Sequence, residues 1–318
     1  MGDEMAGRLC AVWLDEPTVI PPDFLVEVRR ICEFRVFTGH PDQDEVVRRL
    51  RGADIAVVEW TAFGAELLER LESVRYLCLV TTAADHIDVA AAARRGIVVT
   101  SCPSYSAAAV AEYVLAGLVT ADRSLPASRD AARRGESHLY GPFRGRGLQG
   151  ATLGLVGVGR IGRQVAARAA AFGMSVVGCN RSGGAVPGVR MSSLAEVLRS
   201  ADFVSVQVPY SPRTHHLLGA RELDLLPSHA VLVNVSRARV LDEAEVAARL
   251  QDGRLRAAVV DDVADPGTSR LPGLPNAFVT TGIAWFTDSS IQANFDELIR
   301  TIRSCCEGSP INVLAALG

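Results

Sequence analysis

Ala151-Thr152-Leu153-Gly154-Leu155-Val156-Gly157-Val158-Gly159-Arg160-Ile161-Gly162 is the stretch on which the fold turns. Its first six residues read as a buried strand. The glycine-spaced turn then opens a helical pattern that runs to about Phe172. Strand, tight turn and helix in that order turn a G-x-G-x-x-G from a weak pattern into a dinucleotide site. Gly157 permits the turn, Gly159 lets backbone approach a pyrophosphate, and Gly162 lets helix and strand pack closely. The N–H groups at the helix start, from Arg160 and Ile161 onward, face the phosphates. The motif begins near the middle of the chain, so a substantial stretch precedes the nucleotide domain.

Working outward, 318 residues suffice for two domains with full cores. A net charge of -3 offers no field for nucleic acid or an anionic membrane. All 33 basic residues are Arg, which excludes a lysine Schiff base or lysine general base. No stretch is apolar enough over sufficient length to span a bilayer. The opening Met1-Gly2-Asp3-Glu4 is acidic and lacks the features of a secretory signal, so the expected location is the cytoplasm. Seven cysteines lie at 10, 32, 78, 102, 179, 305 and 306 without metal-ligand spacing. They read as buried thiols in a reducing compartment, with the adjacent Cys305-Cys306 pair a coincidence of a helix end. No metal is expected.

Before the fingerprint, short β-branched runs alternate with amphipathic stretches. Strands are expected at Leu9–Leu14, Phe34–Thr38, Ile55–Trp60, Tyr76–Thr81 and Gly96–Ser101. Helices are expected around Pro22–Ile31, Asp42–Arg51, Ala65–Leu71 and Val89–Arg94, and a longer one at Ser106–Ala121. Gly141–Gly150 reads as a surface loop. Beyond the fingerprint helix, strands follow at Ser175–Cys179, Phe203–Val208, Ala230–Asn234, Ala257–Val260 and Phe278–Thr281. Thr287 is placed to cap a final helix reaching about Cys305. Regular alternation of this kind gives α/β architecture with parallel sheets covered on both faces.

In order, Asp85-His86-Ile87-Asp88, Gly96-Ile97-Val98-Val99, Val110-Ala111-Glu112-Tyr113, the fingerprint, Ala201-Asp202 to Pro209, and Asn234-Val235-Ser236-Arg237 resemble the D-isomer-specific 2-hydroxyacid dehydrogenase family over nearly the whole chain. The resemblance implies two doubly wound parallel-sheet domains with the active site in the cleft between them. A Rossmann NAD(P)-binding domain at residues 103–285 would be inserted into a flavodoxin-like substrate domain at 1–102 and 286–318. It further implies a cofactor held by Gly157, Gly159, Arg160, Ile161, Gly162, Asn180, Arg181, Ser182, Val208, Pro209, Thr214, Val235, Ser236, Asp261 and Gly282. Asp261 matches the aspartate that binds the nicotinamide carboxamide, with Asp262 leaving the register open by one residue. Arg237 matches the family's substrate arginine, whose planar, permanently charged fork grips a carboxylate and the reacting carbonyl. A small anionic substrate follows from it. Thr81, Thr82 and Ala83 fall on the substrate loop, and Trp285 beside the reacting centre.

Three family features around that centre are missing. Where relatives end a strand in Thr-Pro-His, whose imidazole protonates the carbonyl oxygen, this chain has Thr280-Thr281-Gly282. The glutamate that orients the histidine is replaced by Asp265 in a shorter Asp261-Asp262-Val263-Ala264-Asp265-Pro266. The glycine-rich loop that cradles the substrate carboxylate becomes Thr81-Thr82-Ala83-Ala84. His215-His216 read as a solvated loop pair, His86 as a structural residue near the substrate loop, and Glu59 and Tyr105 as alternative acids. The first expectation is an NAD(P)-dependent oxidoreductase for a small 2-oxo or 2-hydroxy acid or related carbonyl, with Arg237 and Asp265 at the reacting centre and an atypical proton donor. The competing expectation is a nucleotide-binding sensor or corepressor-like protein that kept the fold and lost the chemistry; a third is an enzyme that cycles its bound cofactor internally.

An acidic residue at the end of the second Rossmann strand would repel a 2′-phosphate. Asn180-Arg181-Ser182 stands there, so NADP(H) is expected in preference to NAD(H). Val110, Val114, Leu115, Leu118 and Val119 make the 106–121 helix apolar on more than one face, and with the resemblance this suggests a homodimer.

Overall fold

The computed structural model describes residues 8–138, 140–181 and 183–314. Two units result: residues up to Tyr105 together with those from Asp288 onward, and residues Ser106–Thr287. In the first, β1 (Cys10–Trp13), α1 (Pro22–Ile31), β2 (Glu33–Val36), α2 (Gln43–Arg49), β3 (Ile55–Val58), α3 (Ala65–Glu69), β4 (Tyr76–Leu79), α4 (Val89–Arg94) and β5 (Val98–Thr100) alternate regularly. The strands form an all-parallel sheet in the order β2-β1-β3-β4-β5. Local chemistry sets the helix starts: Pro22 occupies the first turn of α1, and the Asp42 side chain accepts from the Glu45 N–H at 2.8 Å to cap α2.

The second unit contains α5 (Ala107–Asp122), α6 (Leu125–Arg133), β6 (Thr152–Val156), α7 (Arg160–Ala171), β7 (Ser175–Cys179), β8 (Arg190–Met191), α8 (Leu194–Ser200), β9 (Phe203–Val206), α9 (Ala220–Leu223), β10 (Val231–Asn234), α10 (Glu243–Gln251), β11 (Ala257–Val260) and β12 (Ala277–Val279). Its seven strands are parallel in the order β12-β11-β10-β9-β6-β7-β8. Gly154 in β6 leaves room for α8: a Cβ there would lie 2.8 Å from Ala201 and 2.9 Å from Val197. α11 (Asp288–Cys306), starting directly after Thr287, then completes the first unit. There Phe295 stacks on the fully buried Trp13 at 6.1 Å and meets Phe24 edge-on at 4.8 Å. Burying a ring of that size is worth about 1.5–3 kcal/mol.

In both sheets the strand order reverses once, and ligands of open α/β sheets bind beyond the strand ends at such a reversal. In the first unit it lies between β1 and β3, beside Asp15 and Glu59. In the second it lies between β6 and β9, beside Gly157 and Gln207.

The expected elements all form in the expected order, most strand ends falling one or two residues short while β2 and β12 begin one residue earlier. The two-residue strand β8 and the helix α6 are new. Ala131 is the only described buried residue of α6, so no apolar stripe announced it. The Gly141–Gly150 loop contains a single 3₁₀ turn, Gly141–Phe143. The apolar residues of α5 call for a correction: Val110, Val114, Leu115 and Leu118 are buried inside their own unit. That burial explains the helix without a partner. Cys305-Cys306 ends α11, with the Cys305 sulfur 3.8 Å from that of Cys78. No helix among the described residues is long and apolar enough to cross a membrane.

Candidate active site

The fingerprint turn is shaped by what a side chain would strike. Gly157 has φ +95°, and a Cβ there would sit 2.8 Å from Val208 Cγ1 and 3.0 Å from the Gln207 carbonyl. A Cβ on Gly162 would lie 2.5 Å from the Gly157 carbonyl oxygen. Gly159, which precedes α7, has open space instead, as a phosphate approach requires. The first-turn N–H groups of α7, those of Arg160 and Ile161 included, have no acceptor within the helix. Gln207 reinforces the turn: its amide donates to the Gly157 carbonyl at 2.6 Å while its own oxygen accepts from Ser205 at 2.7 Å. Sequence reading passed over Gln207, whose only signal is an amide at the end of an apolar strand.

Asn180 is committed to the same turn. Its oxygen accepts from the Val158 N–H at 2.5 Å and its nitrogen donates to the Val158 carbonyl at 3.3 Å. The neighbouring Arg181 is exposed, with no hydrogen-bond or ion-pair partner among the described residues. Ser182 lies outside the described residues. Around the adjoining strand ends, Ser236 Oγ donates to the Val208 carbonyl at 2.8 Å, Val235 N–H donates to Val206, and Thr214 Oγ1 donates to the Pro209 carbonyl at 2.8 Å. These residues line one edge of the sheet. Open glycine, unsatisfied N–H groups and an unpaired cation together fit a phosphorylated dinucleotide.

The segment after β12 explains the missing histidine. Asp261, buried at the end of β11, accepts from Thr280 Oγ1 at 2.7 Å and from the Ile283 and Ala284 N–H groups, each at 2.9 Å. The Gly282 N–H donates to the Asp261 carbonyl. Residues 282–284 therefore fold around one carboxylate, with Gly282 at the bend and φ +79°. An added Cβ at Gly282 would meet only the Asp261 carbonyl, at 3.9 Å. Space is available; the backbone angle is what disfavours a side chain. Burial pushes the Asp261 carboxyl above its ordinary range, and hydrogen bonds from Thr280, Ala284 and Ile283 pull it back. Tyr113 on α5 shares a 2.5 Å hydrogen bond with Thr280 Oγ1, and burial raises its phenol.

With both its oxygens engaged, Asp261 holds the turn, while the half-buried Asp262 has no partner among the described residues. Asp265 is likewise corrected. Its oxygens accept from the Gly267 N–H and the Thr268 hydroxyl, each at 2.9 Å, at an exposed surface turn, and those bonds hold its carboxyl below the ordinary range. It closes its own turn and orients nothing else. Arg237 follows the buried Asn234 and is exposed, immediately before a 3₁₀ turn. Trp285 is partly exposed and meets Phe286 edge-on at 5.2 Å, with Ile283 also exposed. His215 and His216 stack 4.0 Å apart on an exposed loop, His216 lying 3.6 Å from Asp242.

In the first unit, Thr81 and Thr82 use their hydroxyls locally, donating to the Ala83 carbonyl at 2.7 Å and the Cys102 carbonyl at 2.8 Å. The N–H groups of Thr81, Thr82, Ala83 and Ala84 find no acceptor among the described residues. A loop with successive unpaired amides suits an anion. At the β1/β3 reversal, Asp15 is fully buried and accepts from the N–H groups of Glu59, Trp60 and Thr61 at 2.7–3.2 Å. Glu59 accepts from the Thr18 N–H at 3.1 Å, and burial raises its carboxyl.

Residues 115–284 match the family model for the D-isomer specific 2-hydroxyacid dehydrogenase NAD binding domain. The glycerate dehydrogenase of Methylorubrum extorquens is 29% identical over 294 residues, covering 89% of this chain and 92% of that protein. The D-3-phosphoglycerate dehydrogenase of Methanocaldococcus jannaschii is 32% identical over 245 residues, or 75% of this chain; the match spans about half of that relative's length, 46%. Among solved structures, an acyclic imino acid reductase in complex with NADPH and D-Arg superposes with a TM-score of 0.95 at 34% identity, covering 96% of this chain and 100% of that one. The chain belongs to the D-isomer specific 2-hydroxyacid dehydrogenases, a family of nicotinamide-dependent oxidoreductases.

Proposed function

We propose that this chain is an NADP(H)-dependent reductase of small 2-imino acids, acting on protonated C=N bonds in preference to the C=O bonds of 2-oxo acids. The observation that carries this reading is the turn at Gly282, where the left-handed backbone favours glycine and no proton-donating side chain stands. A bound nicotinamide supplies the hydride. Hydride added to a carbonyl leaves an alkoxide that needs a positioned acid, a contribution worth about 10²–10⁴-fold. Hydride added to a protonated imine leaves a neutral amine and needs none. The Arg237 guanidinium is suited to the substrate carboxylate, and the exposed Ile283 and Phe286 with the partly exposed Trp285 to an apolar substituent. The imino acid reductase that superposes at 34% identity supports the same substrate class. Arg181, free to meet a 2′-phosphate, supports NADP(H), with NAD(H) the weaker cofactor.

The test is NADPH consumption with pyruvate or glyoxylate, alone and with ammonium or methylamine, which condense with the oxo acid to the imine and release water. Turnover is expected to rise at least about a hundredfold with amine, and Arg237→Ala to lose about a hundredfold in kcat/KM. Rapid turnover of the oxo acid alone, unchanged by amine, overturns the imine reading. Cofactor binding with no turnover of either class favours the sensor reading instead.

Seven unpaired thiols suit a reducing cytoplasm. The proposed assembly is a homodimer, now resting on Leu125 and Phe172, each 47% exposed beside α5, in place of the buried face of that helix. Light scattering at micromolar concentration should give twice the chain mass; a monomer mass refutes it.

A further inference from the structure

Tyr113 lies midway along α5, and its hydroxyl makes one hydrogen bond among the described residues. α5 packs on β10 and β11, and Gly117 lets it come close: a Cβ there would lie 3.2 Å from Val259 Cγ1 in β11. Tyr113 is one turn earlier on the same helix face, four residues before Gly117. Its hydroxyl meets Thr280 Oγ1, directly after β12, at 2.5 Å. Thr280 Oγ1 in turn donates to Oδ1 of Asp261, directly after β11, at 2.7 Å. Two hydrogen bonds thus join three elements remote in sequence and end on one carboxylate. A phenylalanine at 113 would fill the same space, so the oxygen is what needs a reason.

We propose that Tyr113 is a positioning residue for the nicotinamide end of the site: through Thr280 it holds Asp261 as an oriented acceptor, and Asp261 holds the 282–284 turn. The direction of the linkage follows from counting protons. A carboxylate only accepts, and a hydroxyl carries a single proton. Thr280 gives its proton to Asp261, so toward Tyr113 it can only accept, and Tyr113 must donate. Burial raises the Tyr113 phenol, which keeps that proton in place. Each donor in such a series polarises the next and strengthens the bond beyond it. At the far end, Asp261 Oδ1 also accepts from the Ile283 N–H and Oδ2 from the Ala284 N–H. One carboxylate orientation therefore sets the backbone that follows Gly282.

A dinucleotide bound across the β6/β9 reversal lays one half toward β7 and the other over the ends of β9 to β12. Arg181 follows β7 on the first side, so the turn after β12 falls to the nicotinamide half. The assignment rests on the reading that this turn borders the reacting centre. Tyr113 makes no hydrogen bond to the turn itself and acts only through Thr280.

The test is hydrogen exchange of the full chain, read by mass spectrometry on peptides covering residues 281–287. Tyr113→Phe and Thr280→Val should each speed exchange of the Ile283 and Ala284 amides about threefold or more, and the double variant should exchange no faster than Thr280→Val alone. Thr280→Ser keeps the hydroxyl and should exchange like the parent. With NADPH added, Tyr113→Phe should bind within about twofold of the parent affinity, because the phosphate contacts are intact. It should nonetheless lose part of the fluorescence enhancement of the bound nicotinamide, whose seat is loosened. Neither measurement needs turnover, so both can fail while the imine reading, decided by the amine experiment, survives, and the reverse. Unchanged exchange in Tyr113→Phe, additive effects of the two substitutions, or lost NADPH affinity with unchanged nicotinamide emission overturns the assignment.

Discussion

Two glycine turns in the second unit invite comparison, since both follow a parallel strand and both hold a left-handed backbone: Gly157 at φ +95° and Gly282 at φ +79°. At Gly157 the neighbours forbid a side chain, with Val208 and Gln207 at or within 3.0 Å of a would-be Cβ. At Gly282 the surroundings are open and only the backbone angle disfavours it. The first turn is locked by packing and keeps the family pattern. The second is held by a single carboxylate, Asp261, and there the family pattern is lost. Turns governed by packing resist change from every direction, whereas a turn held by one side chain can be rebuilt around it, and with it the chemistry.

The sharpest way to break this contrast is Gly157→Ala. Overlap and backbone strain together cost about 3 kcal/mol, so NADPH affinity should fall at least about a hundredfold by fluorescence titration. Near-normal affinity would show that the turn yields after all. A smaller effect is expected next to the turn. Arg181→Asp should reverse the preference for NADPH over NADH by about tenfold or more, since it exchanges attraction to a 2′-phosphate for repulsion. Unchanged preference in a two-cofactor titration would remove Arg181 from recognition. The smallest functional effect belongs to Gly282→His. Strain of about 1–2 kcal/mol should lower thermal stability, yet 2-oxo acid reduction should change less than about threefold. A large gain would mean that the imidazole alone was missing and the backbone was not.

How far these features were legible from sequence depends on whether their cause was local. The fingerprint was legible because Gly157, Gly159 and Gly162 meet the same strand and helix that flank them in sequence. The parallel sheets followed from alternation, and the absence of a histidine at 282 was plain. Why it is absent was not, because Asp261 must reach 22 residues ahead to cap Ile283 and Thr280 must link it to Tyr113 on α5. Asp265 is the opposite case: its turn is local, with Gly267 and Thr268 donating to its carboxylate, and Asp265-Pro266-Gly267 already carries a turn signature that the family alignment overrode. Gln207 and Asn180 clamp the turn across strands. The burial of the α5 apolar residues, and the meeting of Cys78 with Cys305, are likewise long-range facts that no local pattern encodes.

The last helix carries a consequence for how the molecule is made. Phe295 stacks on Trp13, Asn294 donates to the Val80 carbonyl, and Glu297 accepts from the Ser104 N–H, so the five strands of the first sheet lack their partner helix until residues 106–287 have been translated. Residues 106–287 contain every strand of their own sheet and need nothing from α11. Domains generally fold as units as the chain emerges at about 5–20 residues per second. Here the segment order should invert that sequence: the inserted unit is complete before the first one, and Trp13 stays uncovered until Phe295 arrives.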